Sequence, residues 1–564
     1  MSAGLVLGPL LRYVGVDEAT VWAELDGACE VEVLGHRAPT FCVEGHHYAL
    51  VQLTGLAPAS TTPYELSVDG RRLWPEPGSQ FPASVIRTTA PGEPVRLVFG
   101  SCRVCVPHEP PFSLSKDADE RGREVDVLRA YAQRMRGQDP SQWPHALLLL
   151  GDQVYADEAS PETCAFIRSR RDQDEPPGET IADFEEYTRL YREAWSEPVM
   201  RWLLSTVSSA MIFDDHDIHD DWNTSVEWVA EMRAQPWWDA RIEGGLMAYW
   251  VYQHLGNMAP EQLATDPLYA AVRDCGDAGS LLRDFAHRAD RTTDGARWSY
   301  CRDLGSARLV MVDSRAGRVL EHEHRSMLDE QEWKWVHEHA RGDCDHLLIG
   351  TSLPLLMAPG MQYLEAWNEQ VCAGAWGRPG RLVGERLREA LDLEHWGAFS
   401  SSFERMCRLL RDVGAGRRGR APASIVALSG DVHHAYLAEV AFPREQGVRS
   451  AVWQAVCSPL RNPLNDRERR VVRFGASRAG AVVGRLLARS AGVPDPPVRW
   501  RYVHDEPWFD NQLATLELHG RHGRMRLERI KAEGEDDSTG DGSPRLEQVF
   551  EHALAEGTPW PAAA

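Results

Sequence analysis

Five aspartates stand within eight positions, Asp214, Asp215, Asp217, Asp220 and Asp221, with His216, His219 and Asn223 among them. Carboxylates so dense at the end of an apolar run repel one another unless a multivalent cation neutralises them. Any one of them alone reads as a helix cap or turn residue. Together they point to a metal site, with a solvated acidic loop as the plain alternative. Four more polar groups follow apolar runs in the same way. Gly100-Ser101-Cys102 follows Val95–Phe99, and Gly151-Asp152-Gln153-Val154-Tyr155-Ala156-Asp157 follows Ala146–Leu150. Asp313-Ser314-Arg315 follows Arg308–Val312, and Ser429-Gly430-Asp431-Val432-His433-His434 follows Ser424–Leu428. Cys102 and Cys105 form a Cys-x-x-Cys without a second pair at ligand spacing, a weak signal for structural zinc. At a strand end, in line with the other groups, Cys102 reads instead as a candidate ligand.

These groups need elements to hold them. From residue 95 onward short apolar runs, including 210–213 and 346–349, alternate with amphipathic helical segments such as 123–136, 183–204 and 328–341. That alternation argues for an α/β layered core, in which sites form just outside the carboxyl ends of strands. Five such ends can converge although their residues lie hundreds of positions apart. Residues 1–92 read differently. Period-two strands at 19–25, 29–34, 48–53, 61–68 and 84–89, with Asp69-Gly70 as a hairpin turn, predict a small β-sandwich. Thr88 to Pro94 marks the boundary, and 93–531 is the expected catalytic domain. Residues 225–297 and 358–420 are long Trp- and Arg-rich stretches, read as helical insertions that cover the site. The segment 466–491 carries seven Arg among apolar residues. It predicts a basic amphipathic helix, either docked on the domain or in peripheral contact with a membrane. Residues 511–531 predict a closing hairpin, and 532–564 an acidic linker and a short tail.

Composition bounds the function. A chain of 564 residues, 43% apolar and 26% charged, is that of a globular protein of more than one domain. A formal net charge of −23 argues against general nucleic-acid binding. Eleven scattered Cys do not form a disulfide framework. The N-terminus lacks a basic region followed by an apolar one, and no run of about 18 apolar residues occurs. A cytoplasmic location without a transmembrane segment is the expectation.

Taken in order, Phe99-Gly-Ser-Cys, Gly151-Asp-Gln-Val-Tyr-Ala-Asp, Asp214-Asp-His-Asp, Val312-Asp-Ser-Arg and Ser429-Gly-Asp-Val-His resemble the alkaline phosphatase D, or PhoD-like, family of metallophosphatases. The resemblance covers roughly 95–530 and extends to the β-sandwich before it. It implies a four-layer α/β/β/α metallophosphatase core preceded by a fibronectin III or immunoglobulin-like sandwich. Carried over, it makes Cys102, Asp152, Tyr155, Asp215, Asp431 and His433 metal ligands, with Asp152 bridging, and His216 the catalytic histidine. The donor chemistry agrees. Cys102, Asp152, Tyr155 and His433 suit a transition metal such as Fe(III), whereas Asp152, Asp215 and Asp431 suit a hard cation such as Ca²⁺. Mn²⁺, Mg²⁺ and Zn²⁺ are the alternatives. A metal-activated water would attack the phosphorus of a small phosphoester. His216 would protonate the leaving group or hold the phosphate, and Arg315 would contact phosphate or form a structural ion pair. Asp157, Asp214, Asp217, His219, Asp220, Asp221, Asn223 and His434 form a second tier around them. The twin-arginine signal of secreted members is not visible, and the insertions bear on the substrate pocket. The leading expectation is a metal-dependent phosphomonoesterase or phosphodiesterase. A phospholipid-head-group diesterase of phospholipase D type at a membrane surface is the second reading. A catalytically silent metal-binding or interaction protein is the third.

Overall fold

The computed structural model describes residues 3–293, 295–321, 324–531 and 544–556. Residues 5 to 87 contribute strands alone, in two four-stranded antiparallel sheets and one short pair. The Asp69-Gly70 turn joins Leu66–Val68 to Arg71–Trp74, both residues with positive φ, 51° and 75°, as a tight hairpin requires. The run read as one strand over 61–68 is two. Thr61–Pro63 pairs with Val85–Arg87, and Leu66–Val68 pairs with Glu30–Val33 in another sheet. Between them the Tyr64 hydroxyl donates to Ser205 O, a residue of the helix Pro198–Thr206.

The strand Leu5–Val14 has no period-two signature because it is buried along most of its length on both faces. It pairs with Ala19–Leu25 and packs on the strand Ser208–Ile212, where Ser208 Oγ donates to Arg12 O at 2.6 Å. The all-β region and the α/β region therefore share one apolar cluster, which contains Leu7, Leu10 and Trp22 as well as Leu148 and Met211.

Two mixed sheets make up the α/β region. In the six-stranded sheet Ser208–Ile212, Ala146–Leu150 and Val95–Gly100 run parallel, and Gln512–His519, His522–Ile530 and Leu546–Ala555 continue it antiparallel. In the seven-stranded sheet Ala307–Val312, His346–Thr351, Ser424–Ser429 and Ala451–Val456 run parallel, with antiparallel strands at the edges. These parallel strands are mostly apolar and almost wholly buried, as two-faced burial demands. The edge strand Leu546–Ala555 of the first sheet is bound to the interior strand Ala451–Val456 of the second, where Trp453 Nε1 donates to Leu554 O at 2.8 Å.

Three further sequence expectations are corrected. The helical stretch 183–204 is two helices, Phe184–Ser196 and Pro198–Thr206, because Pro198 cannot continue the first. The segment 466–491 is likewise two helices, Asp466–Ala476 and Arg478–Ser490, divided at Ser477. Residues 546–555, read as part of a tail, form an edge strand of the six-stranded sheet. Leu554 of that strand is buried. The acidic linker expected at 533–543 lies outside the described residues. The expected helical insertions are helical for most of their length, with helices from Val226–Arg233 to Gly279–Arg291 in the first and from Pro359–Cys372 to Ser400–Gly414 in the second. Among the described residues no helix is long and apolar enough to cross a membrane.

Candidate active site

Every group singled out by residue type leaves the carboxyl end of a parallel strand, and the two sheets bring these ends together. The backbone turns sharply there. Cys102, Asp152, Asp431 and His433 all adopt positive φ, between 49° and 66°, as do Asp221 and Asn223. Non-glycine residues held in this region cost free energy, and such strain clusters at functional sites. Gly151 allows the close approach of two strand ends: a Cβ there would stand 2.8 Å from the Asp214 Cβ.

Three sets of side chains could each hold a cation, with ligand atoms all within 4.8 Å of one another. They are Cys102 with Asp152 and His433, Asp152 with Asp214 and Asp215, and Asp215 with His216 and Asp220. Asp152 belongs to the first two sets and Asp215 to the last two. The Tyr155 hydroxyl lies 3.3 Å from Asp152 Oδ2, beside the first set. Asp431 enters none of these sets among the described residues. Its Oδ2 meets His395 Nε2 at 3.1 Å, and Arg315 Nη2 lies 4.0 Å from its Oδ1.

Burial sets the electrostatics. It raises the Asp152 and Asp214 carboxyls well above the usual carboxylate range, with Arg315 opposing at Asp214 and nearby acids reinforcing. Asp152 Oδ1 and Asp214 Oδ2 are buried with no hydrogen-bond partner. Unpaired buried carboxylate oxygens are costly, and a bound cation is the neutralising partner such a cluster fits. Burial also raises the Cys102 thiol well above its ordinary value, although Ser101 and Ser458 hydroxyls lie 3.1 Å from its sulfur. It lowers His433 to about 3, leaving a neutral imidazole of the kind metals take as ligand.

His216 is partly exposed, and its Nδ1 meets both oxygens of Asp157 at 3.0 Å. Burial opposes its charged form, yet Asp157 and Asp215 raise it well above 6.5. Its Nε2 is left toward Asp220, 3.8 Å away, and its ring lies 4.6 Å from that of Tyr155. Asp157 also accepts from Asp220 N at 2.7 Å, so it fixes both neighbours.

Arg315 is fully buried beneath the acids. Its guanidinium bonds Asp214 through Nε, reaches Asp215 Oδ1 at 3.2 Å and meets Glu394 Oε2 at 2.5 Å. The remaining second-tier residues divide. Asp221 donates its backbone N–H to Asp215 Oδ2 at 3.1 Å. Asp217 turns away from the cluster, accepting from Asp214 N and Gln253 Nε2. Asn223 Nδ2 donates to Arg315 O. His219 sits among Trp228, Trp237 and Trp238. His434 is buried, with its ring against Tyr436 and Phe509. Asp313 accepts from the backbone N–H groups of Arg315, Ala316 and Gly317, which shapes the turn carrying Arg315.

Sequence reasoning missed Glu394, His395, Glu365 and Asn462. The first three come from the inserted stretch 358–420, where Glu394-His395 is an isolated acid and imidazole with no strand end to mark it. Asn462 donates to the Tyr155 hydroxyl at 3.3 Å. It did carry a signal, because it and Ser458 follow the apolar run Ala451–Val456.

The model of the PhoD-like phosphatase family matches residues 126–485. The chain belongs to the PhoD-like phosphatase family. It is thus a phosphoester hydrolase by family, and the family implies metal ions. Cys102 precedes the matched span. A domain of unknown function, DUF7800, matches residues 2–86 of the all-β region. The fold resembles a solved structure described as that of PhoD, with a TM-score of 0.56 and 11% identity. That alignment covers 98% of this chain and 90% of the other. A purple acid phosphatase, PPD1 from yellow lupin seeds, is more distant, with a TM-score of 0.44 and 12% identity over 92% of this chain and 71% of that one. No curated protein sequence matches the chain.

Proposed function

We propose that this protein hydrolyses phosphoric mono- or diesters at a two-cation centre in which Asp152 is the shared ligand. The observation that carries the reading is the place of Asp152 in two ligand sets at once, one containing Cys102 and His433, the other Asp214 and Asp215. Cys102, Asp152, Tyr155 and His433 would hold a transition metal, best Fe(III), and Asp152, Asp215 and Asp431 a hard cation, best Ca²⁺. Asp214, whose Oδ2 is buried without a partner, would join the second. Bound cations would supply a water of lowered pKa and neutralise charge on the phosphoryl oxygens.

The chain's own residues do the rest. Asp157 orients His216 through Nδ1, which leaves Nε2 to deliver a proton to the leaving oxygen or to hold the phosphate. Arg315 offsets the negative charge from beneath, and Glu394 in turn fixes Arg315. Asn462 sets the direction of the Tyr155 phenol, and Ser101 and Ser458 set that of the Cys102 sulfur. With this reading goes a four-layer catalytic core, the two sheets inside and helices outside, preceded by a sandwich over 1–92.

Elemental analysis of protein purified without chelators, together with turnover of p-nitrophenyl phosphate and bis-p-nitrophenyl phosphate, tests the proposal. The expectation is iron and calcium in the wild type, and loss of both metal and turnover in a folded Asp152→Ala. Full turnover by that variant would sink the assignment.

A further inference from the structure

The two helices of 466–491 bury their small residues and expose their large apolar ones. Gly480, Gly484 and Ala488 face inward against the helix Pro359–Cys372. The approach is so close that a Cβ on Gly484 would stand 2.7 Å from Gly360 O. On the outer faces Val471, Phe474, Val482, Val483 and Leu486 are each 47–62% exposed. Single exposed apolar residues are ordinary, but five on two consecutive helices mark an interaction surface.

Charge accompanies them. The same 26 residues carry seven Arg against Asp466 and Glu468, in a chain of formal charge −23. Arg467, Arg470 and Arg478 are exposed and make no ion pair among the described residues. A cleft of about 850 Å³ adjoins the second helix, lined by Val482, Arg444, Arg485, Arg499 and Trp500. Of the acids at its wall, Asp495 is paired with Arg485 at 3.1 Å and Glu445 stands beside Arg444.

We propose that this helix pair and its cleft dock the protein on an anionic lipid surface. The apolar side chains enter the boundary between headgroups and acyl chains, and Arg467, Arg470 and Arg478 pair with lipid phosphates, as does Arg499 in the cleft. The other occupants fit less well. A symmetric contact with a second copy would set one cluster of arginines against another. A partner helix needs an apolar groove, whereas these side chains stand on the outer faces of two helices.

The surface is tied to the candidate site. The first helix starts from its cap Asn465, three residues after Asn462, which bonds Tyr155. Arg473 lies over the ring of Phe509, which packs against His434.

Flotation of the full-length protein with vesicles of phosphatidylcholine, alone or mixed with phosphatidylglycerol, tests the proposal. Binding to the mixed vesicles is expected, weakened by salt, with none to phosphatidylcholine alone. The pairs Phe474→Asp with Leu486→Asp, and Arg470→Glu with Arg478→Glu, should each weaken it at least about tenfold. Because all four positions are exposed, circular dichroism and thermal unfolding should stay unchanged. Absence of binding to the mixed vesicles, or binding that neither variant reduces, overturns the proposal. Dimerisation lost in the Phe474→Asp pair, without vesicle binding, assigns the face to a second copy and overturns it too. The readout needs no turnover, so its failure is distinct from failure of the phosphoesterase reading.

Discussion

His395 Nε2 lies 3.1 Å from Asp431 Oδ2, while its Nδ1 holds Glu365 Oε1 at 2.6 Å. All three side chains are largely buried, so the imidazole has one orientation available to it. The pair links an inserted helical stretch to the end of the central strand Ser424–Ser429. Against the cost of burial, His395 and Arg315 hold the Asp431 carboxyl below the usual range.

His395→Ala should therefore lower metal content and kcat by about 10–100-fold, the usual effect of removing a group that orients a ligand. His395→Gln, which keeps one N–H donor, should recover part of both. Metal content equal to wild type in His395→Ala would show that Asp431 needs no such support.

Arg315 reaches Asp214, Asp215 and Glu394 directly, and Arg318 shares Glu394 with it at 3.2 Å. Removing one partner of a buried charged network typically costs about 3–5 kcal/mol. Arg315→Met should lower the urea midpoint of chelator-treated protein by a corresponding amount. Unchanged stability with a raised KM would instead place Arg315 at the substrate.

His46 joins the all-β region to the catalytic region, with Nδ1 3.3 Å from Glu24 and Nε2 2.7 Å from Glu185. The hydrogen bond to Glu24 raises its pKa to about 9, with burial opposing and Glu185 adding. Its contribution to stability is complete below the unfolded value near 6.5 and is lost as pH rises through about 9. Thermal unfolding followed from pH 6 to 10 should show this fall, and His46→Gln should flatten it.

A chain ending after residue 531 lacks the strand Leu546–Ala555, so His522–Ile530 becomes an open edge and Trp453 Nε1 loses its acceptor at Leu554. Unpaired edges and exposed apolar faces favour aggregation. The truncated protein should sediment as oligomers or melt several degrees lower than the full chain. Equal stability would return the segment to the status of a tail.

Much of this architecture was legible in residue order alone. The apolar runs at 95–99, 146–150, 308–312 and 424–428 are all strands, and each is followed by the polar group that marked it, because strand periodicity and strand-end turns are local properties. Asp69-Gly70 forms its hairpin for the same reason. The strand Leu5–Val14 was illegible because burial on both faces erases alternation, and Leu546–Ala555 because, half-buried or exposed everywhere but Leu554, it is a strand only through its pairing with His522–Ile530. Within the acidic run, residue type pointed to a cation. Only the tertiary structure decided that Asp214 and Asp215 face Arg315 and Asp152, that Asp217 turns away from them, and that His219 lies among tryptophans. Spacing along the chain does not specify which neighbour a side chain meets. His395 and Asp431 lie 36 positions apart and Cys102 and Asp431 lie 329 apart, and packing of two sheets and an inserted helical stretch brings them together.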